Sequence, residues 1–253
     1  LTTTLIVLAH PEVTSFNGSW ANATANAVQE NGGDVLWSDL YRLNFDPAER
    51  ADFYEDHNGP FDPLKAQENA AAENALPAAI VDEIEKIKQA DRIIFHFPMW
   101  WFGPPAILKG WFDRVLAHGA LHNVDQRFDK GMNQGKKALF CVTTGSSDFE
   151  SSPNGKEADA NMLLWPSAYT LRYCGFDVLK PVFAHRVHGY HRGDRLTELQ
   201  AKLTGVLDNQ TKLIAGFDEL PLIRFNADDD FDDNGQLKPD AESVTPFIRH
   251  QQV

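Results

Sequence analysis

FHFPMWWFGPPAILKGWFDRVL, residues 95–116, changes character twice within a few residues. Its first four residues close the apolar run DRIIFHFP (91–98), which reads as a buried strand ended by Pro98. Met99, Trp100, Trp101 and Phe102 follow, held between Pro98 and Gly-Pro-Pro. Then Ile107, Leu108, Trp111, Phe112 and Val115 recur at helical spacing, which predicts a helix over 105–116. A strand, a short aromatic loop and a helix in succession are one half of a βαβ unit. The loop presents flat apolar side chains at the strand's carboxyl end.

The same alternation extends in both directions. TLIVLA (4–9) reads as a strand buried on both faces, and a helix is expected over 19–30, stopped by Asn31-Gly32-Gly33. DVLWSD (34–39) is a second strand. Residues 41–75 turn polar and acidic, with Pro47, Gly59, Pro60 and Pro63, a stretch too long for a plain connector. Pro77 opens a helix with Ile80, Ile84 and Ile87 on one face and Asp82 four residues before Lys86. KKALFCVTTG (136–145) is a fourth strand, a helix over 157–173 ends at Gly175, and DVLKPVFA (177–184) is a fifth strand whose Pro181 suits a sheet edge. One long helix is expected over 195–215, then an acidic extension over 216–253 that lies on the surface or on a partner. Five strands separated by helices predict a doubly wound α/β domain over 1–215 with a parallel sheet. The flavodoxin-like order 2-1-3-4-5 sets strands one, three and four side by side. Ligands bind beyond the carboxyl ends of such strands, so loops 9–19, 98–103 and 143–154 should form one site.

Composition removes several function classes. With 23 Lys and Arg against 36 Asp and Glu the net charge is −13, which disfavours nucleic acid and anionic membranes. No apolar run reaches the ~18 residues of a membrane span, and no basic region precedes the first apolar run, so neither membrane insertion nor a signal peptide is expected. Cys141 and Cys174 sit in apolar contexts and read as buried free thiols of a cytoplasmic protein. His185, His188 and His191 read as loop histidines, since no HExxH spacing accompanies them. Asp230, Asp232, Asn234 and Gly235 begin like a calcium loop, but Ala241 stands where the bidentate Glu belongs and Pro239 interrupts, so a solvated acidic tail is the reading.

Each loop has a plain reading and a functional one. Thr14, Ser15, Asn17 and Ser19 either cap a helix or hold a phosphate at its N-terminus. The loop 98–103 is a core cluster, a dimer interface or a wall for a planar ring system. TTGSSDF (143–149) is a turn or a hydrogen-bonding rim. No GxGxxG or Walker sequence is present, which disfavours a Rossmann dinucleotide site and a P-loop. Taken together, an anion-binding wall, an aromatic wall and a polar rim match the three faces of a flavin nucleotide.

AHPEVTSFN, FPMWWFGPPAILKGWFDRVL, DKG, TTG and LLWP, in order across residues 4–215, resemble the NAD(P)H:quinone oxidoreductase (DT-diaphorase) family of flavodoxin-like flavoproteins. The resemblance implies a homodimer with FAD, rather than FMN, at the subunit interface, and NAD(P)H as co-substrate. It also implies ping-pong transfer to a quinone or similar aromatic acceptor. Carried over by position, His10, Ser15, Phe16, Asn17 and Ser19 hold the pyrophosphate and ribityl region, and Gln67 and Arg195 also contact the cofactor. Pro98, Met99, Trp100, Trp101 and Phe102 border the ring, and Thr143, Thr144, Gly145 and Ser146 address its polar edge. Trp101 and Phe102 also wall the substrate, with His122, Phe128 and Tyr173 supplied by the partner subunit. The sequence departs from the family at the Tyr and His that assist hydride transfer, whose positions fall on Ser151 and Glu157; Lys156 is a candidate replacement cation. That loss leaves two other readings open: a flavodoxin-fold regulatory subunit, and an electron carrier with little reductase activity.

Overall fold

Strands β1 (Thr3–Leu8), β2 (Asp34–Asp39), β3 (Arg92–Pro98), β4 (Lys137–Thr143) and β5 (Asp177–Val178) form a parallel sheet in the order β2-β1-β3-β4-β5, and β6 (Val182–Ala184) also pairs with β4. This is the flavodoxin-like order expected from the sequence. The computed structural model describes residues 1–54 and 59–251; part of the acidic stretch 41–75, residues 55–58, lies outside them. Central strands β1, β3 and β4 are continuous apolar runs because both faces are covered. On one face α3 (Ala78–Gln89), α4 (Ala106–Val115) and α5 (Ala160–Tyr173) bury Ile84, Trp111 and Leu164 against Phe95, Phe97 and Phe140. On the other, α1 (Phe16–Glu30) and α7 (Gln210–Ala215) bury Trp20, Val28, Leu213 and Ile214 against Ile94, Leu139 and Cys141. Cys141 and Cys174 are free and buried, and burial pushes both thiols up.

Several expectations need correction. The single strand over 177–184 is two short ones. Pro181 has no N–H to give the ladder, so the chain leaves the sheet there, and Lys180 N–H donates instead to the Pro221 carbonyl at 2.8 Å. The single helix over 195–215 is α6 (Asp194–Asp208) followed by α7, divided at Asn209; buried Gln210 accepts a 3.0 Å hydrogen bond from Thr24 on α1. Lys86 pairs with Glu83 at 2.5 Å rather than with Asp82, because buried Glu83 also accepts from Trp111 Nε1 and draws the cation inward. The acidic stretch holds its own helix, α2 (Pro63–Ala72), capped by Asp62. It is pinned to α4 by buried Arg114, which donates to the Asp46 carbonyl at 2.6 Å and stacks over Phe53.

The extension packs back on the domain. Ile223 N–H donates to the Val178 carbonyl, Leu179 and Leu222 form an antiparallel bridge, and Phe247 stacks on Trp165 of α5 with ring centroids 4.6 Å apart. Among the described residues no helix is long and apolar enough to cross a membrane.

Candidate active site

The carboxyl ends of β1, β3 and β4 are tied together by short hydrogen bonds. Met99 N–H donates to the Thr143 carbonyl at 2.8 Å, and buried Asn17 on the first turn of α1 donates from Nδ2 to Thr143 Oγ1 at 3.0 Å. Helix α1 starts at Phe16, three residues before the sequence expectation, because Ser15 Oγ accepts from Gly18 N–H and caps it. Only glycine fits at 18: a Cβ there would lie 2.2 Å from the Val13 carbonyl oxygen, so the first loop folds directly onto the helix start. Glu12 orients that loop by accepting from the amide and hydroxyl of Thr14, which holds its carboxyl below the usual range. His10 sits beside Trp100 with ring centroids 6.1 Å apart.

The loop after β3 is a tight turn closed by two hydrogen bonds between Trp100 and Gly103. Its two central residues, Trp101 and Phe102, adopt φ of 48° and 64°. Two positive-φ positions in succession define a turn normally made by Asn-Gly or Gly-Gly, and bulky side chains are strained there. The result is outward display: Trp101 is 95 % and Phe102 52 % exposed.

These rings wall a cavity of about 420 Å³ together with Met99, Thr144, Gly145, Ser146, Ser151, Glu150 and Glu157. The helix expected from 157 begins only at Ala160, capped by Asp159, and residues 147–158 form a compact run of turns instead. Ser147 and Glu150 clasp each other: Glu150 Oε2 accepts from the Ser147 amide at 3.0 Å and hydroxyl at 2.9 Å, and Ser147 Oγ accepts from Glu150 N–H. These bonds, with Lys156, hold the Glu150 carboxyl down to about 2. Glu150 was not among the sequence candidates, although Ser-x-x-Glu is the capping-box signature that could have found it. Ser146 and Ser151 share a 2.6 Å hydroxyl–hydroxyl hydrogen bond. Lys156 stands outside this cavity, exposed, 3.1 Å from Glu150 Oε1.

Other cavities hold Arg195, Gln67, His122 and Tyr173, while Phe128 lines a separate one with Tyr169 and Asn226. Arg195 lines one of about 930 Å³ with Arg186, His188, His191 and Arg192, sharing Gly145 and Glu150 with the first. The rings of His188 and His191 stack 4.0 Å apart there. Gln67, His122 and Tyr173 line another, of about 520 Å³, on the α4–α5 side. Gln67 is buried and fully engaged: its Nε2 donates to Glu49 and to the Asp113 carbonyl, and its Oε1 accepts from His118 N–H. His122 packs edge-on against Tyr173, which also meets Phe128; burial and neighbouring His118 lower its pKa, opposed by the Leu116 carbonyl. The structure thus unites the β3 and β4 loops in one cavity and holds Gln67, His122 and Tyr173 in another of the same chain.

Comparison with known proteins follows the same line. The family model described as Flavodoxin-like fold matches residues 2–206. The NAD(P)H dehydrogenase [quinone] 1 of Cavia porcellus is 41% identical over 222 residues, 86% of this chain and 78% of that protein. The Homo sapiens ribosyldihydronicotinamide dehydrogenase [quinone] is 41% identical over 70% of this chain and 78% of its own length. A solved structure presented as a candidate quinone reductase from Klebsiella pneumoniae superposes with a TM-score of 0.81 at 30% identity, covering 94% of this chain and 95% of that one.

Proposed function

The chain belongs to the flavodoxin-like family of the NAD(P)H quinone dehydrogenases and is an oxidoreductase of that type, and from this premise we propose that it passes a hydride from NAD(P)H, through bound FAD, to a quinone or similar aromatic acceptor in two alternating half-reactions at one site. The observation that carries the reading is the turn at Trp101 and Phe102, which sets two exposed rings beside the amides of the β4 loop. A flavin fits the groups present. The buried Asn17 Oδ1 has no hydrogen-bond donor among the described residues, and the first amides of α1 are free to meet a diphosphate.

On this reading Ser15, Phe16, Asn17 and Ser19 hold the diphosphate, with His10 beside them. Pro98 to Phe102 border the ring system, and Thr143, Thr144, Gly145 and Ser146 meet its polar edge. Bound flavin supplies a ring that takes up two electrons from the nicotinamide and gives them to the acceptor. FAD rather than FMN is favoured by the adjoining cavity, where Arg186, Arg192 and Arg195 offer cations and room for an adenine nucleotide half. A homodimer is favoured because His122, Phe128 and Tyr173 line cavities other than the one walled by Trp101 and Phe102, so that a second copy is needed for them to wall the substrate there. Two buried free thiols suit the cytoplasm.

Mass analysis of the flavin released on denaturation, with NADH and NADPH oxidation across a quinone panel and sedimentation equilibrium, tests the reading. Bound FAD, turnover and a dimer are expected. A flavin-free protein that oxidises neither nicotinamide would sink it.

Lys156 is engaged by Glu150 outside the cavity, so negative charge at the ring edge is met mainly by the amides of Gly145 and Ser146, with the one hydroxyl hydrogen that the Ser146–Ser151 bond leaves unused. Installing the family's pair, Ser151→Tyr with Glu157→His, should speed reduction by NAD(P)H in stopped-flow about tenfold, or ~1.4 kcal/mol. An unchanged rate at intact flavin content would mean the positional assignment is wrong. A tenfold slowing by Lys156→Ala alone would show that Lys156 already serves as the cation.

A further inference from the structure

The aromatic cavity carries a net negative charge. Trp101 and Phe102 share it with two carboxylates, Glu150 and Glu157, and no Lys or Arg lines it. Glu150 keeps its charge through the Ser147 clasp, and its one counter-ion among the described residues, Lys156, approaches Oε1 from solvent with 73 % of its side chain exposed. The Glu157 carboxylate is half-buried and accepts no hydrogen bond and no ion pair from any described residue; only its amide is used, donating to the Glu150 carbonyl. An unpartnered carboxylate beside exposed aromatic faces is an arrangement that recognises a flat cation, by charge on one side and by the ring quadrupole on the other.

Proton supply points the same way. Reducing a neutral quinone takes a hydride and a proton: Q + H⁻ + H⁺ → QH₂. Reducing a cationic iminium-type ring takes the hydride alone: A⁺ + H⁻ → AH. With NAD(P)H → NAD(P)⁺ + H⁻ the second reaction balances as NAD(P)H + A⁺ → NAD(P)⁺ + AH, and no acid is consumed. The polar groups on this cavity's wall are poor acids. The Ser146 and Ser151 hydroxyls bond each other, the Thr144 hydroxyl lies between the Ser146 carbonyl and Nδ1 of His185, a ring that is not on the cavity wall, and ionised carboxylates only accept.

We propose that this cavity, in which Trp101 and Phe102 wall the acceptor as well as the flavin, selects a cationic aromatic electron acceptor of the phenothiazinium class over neutral quinones, with Glu157 as the residue that sets the preference. The inference rests on the reductase reading above and adds its substrate class.

The test uses the oxidised holoenzyme without nicotinamide, titrated calorimetrically with methylene blue as the cation and menadione as the neutral ring. Methylene blue should bind at least ~10-fold more tightly, and its affinity should fall between about 20 and 300 mM NaCl while that of menadione stays level. The chain's charge of −13 attracts any cation, so the decisive comparison is Glu157→Gln. That variant should weaken methylene blue about tenfold, ~1.4 kcal/mol, and menadione less than about twofold. Glu150→Gln gives a second arm, and the salt dependence of the wild type needs no variant at all. Equal affinity for the two probes, or a cation affinity untouched by Glu157→Gln in a folded protein, overturns the proposal. A flavin-loaded enzyme with a higher kcat/KM for menadione than for methylene blue overturns the preference alone and leaves the reductase reading standing. A protein without flavin or turnover removes both.

Discussion

Trp101→Gly should melt higher than the wild type as apoprotein and bind flavin at least about tenfold more weakly. The two effects have opposite signs because one side chain is responsible for both. Trp101 sits at φ 48° followed by Phe102 at 64°, and a non-glycine residue in such a region costs on the order of 1–3 kcal/mol. Glycine adopts that conformation freely, at an entropic cost of roughly 0.5–1 kcal/mol in the unfolded chain. Little burial is lost, since the ring is 95 % exposed. The net gain is about 1 kcal/mol, or roughly 2–4 °C in a domain of this size. On the function proposed above, the strain persists in the native sequence because it aims a large flat surface across the strand ends, where a ring system can stack. Calorimetry of the apoprotein and a fluorescence titration with FAD read the two effects separately. An unchanged FAD affinity would show that the ring-binding wall lies elsewhere; a lower melting temperature would show that the turn is not strained.

That turn also marks the limit of what the sequence discloses. Apolar runs of strand length separated by helical periodicity follow directly from burial on both faces of a sheet, so β1, β3 and β4 and the strand order were legible, and so was the aromatic loop between Pro98 and Gly103. Its backbone was not legible: Trp and Phe encode no preference for positive φ, and only the closure between Trp100 and Gly103 imposes it. Pro181 was read as tolerable at an edge, but with the Lys180 amide drawn to the Pro221 carbonyl, the strand divides. Lys86 had two acids within helical reach, and the buried one prevailed because the Trp111 indole fixes it in place. Among the site residues, those on strand-end loops could be grouped from topology alone. Gln67, His122 and Tyr173 are brought together by how α2 and the 117–122 turn pack on α4 and α5, which no local pattern encodes. Glu150 was within reach through its Ser147 clasp, but a capping box not followed by a helix is easily passed over.

His96→Leu should make the fold markedly more resistant to acid. His96 lies at the centre of β3, fully buried, with neither ring nitrogen hydrogen-bonded to any described residue and its ring edge-on to Trp20 at 5.4 Å. Burial alone lowers its pKa from the ordinary 6.5 to about 3. The folded protein therefore holds a neutral imidazole, while the unfolded chain takes up a proton below pH ~6.5. The sign follows: the stability is fully present above pH ~6.5 and is lost as pH falls towards about 3. At pH 4 the loss is roughly 3 kcal/mol from this one residue. Leucine removes that dependence, and it also removes the cost of two unpartnered ring nitrogens, on the order of 1–3 kcal/mol at any pH. The strand itself is spared, because the Ala9 amide bonds the residue-96 carbonyl and not its side chain. Urea unfolding at pH 7 and pH 4 should show the gap between variant and wild type widening by about 3 kcal/mol as the pH drops. Parallel loss of stability in the two proteins would show that acid sensitivity resides in the carboxylates instead. The residue also bears on the site: His96 touches Trp20, and Trp20 touches Phe16 on the first turn of α1, with ring centroids 5.6 Å apart. Acid that expels the imidazole therefore loosens the same helix start proposed to hold the diphosphate, and the variant should retain flavin to a lower pH than the wild type.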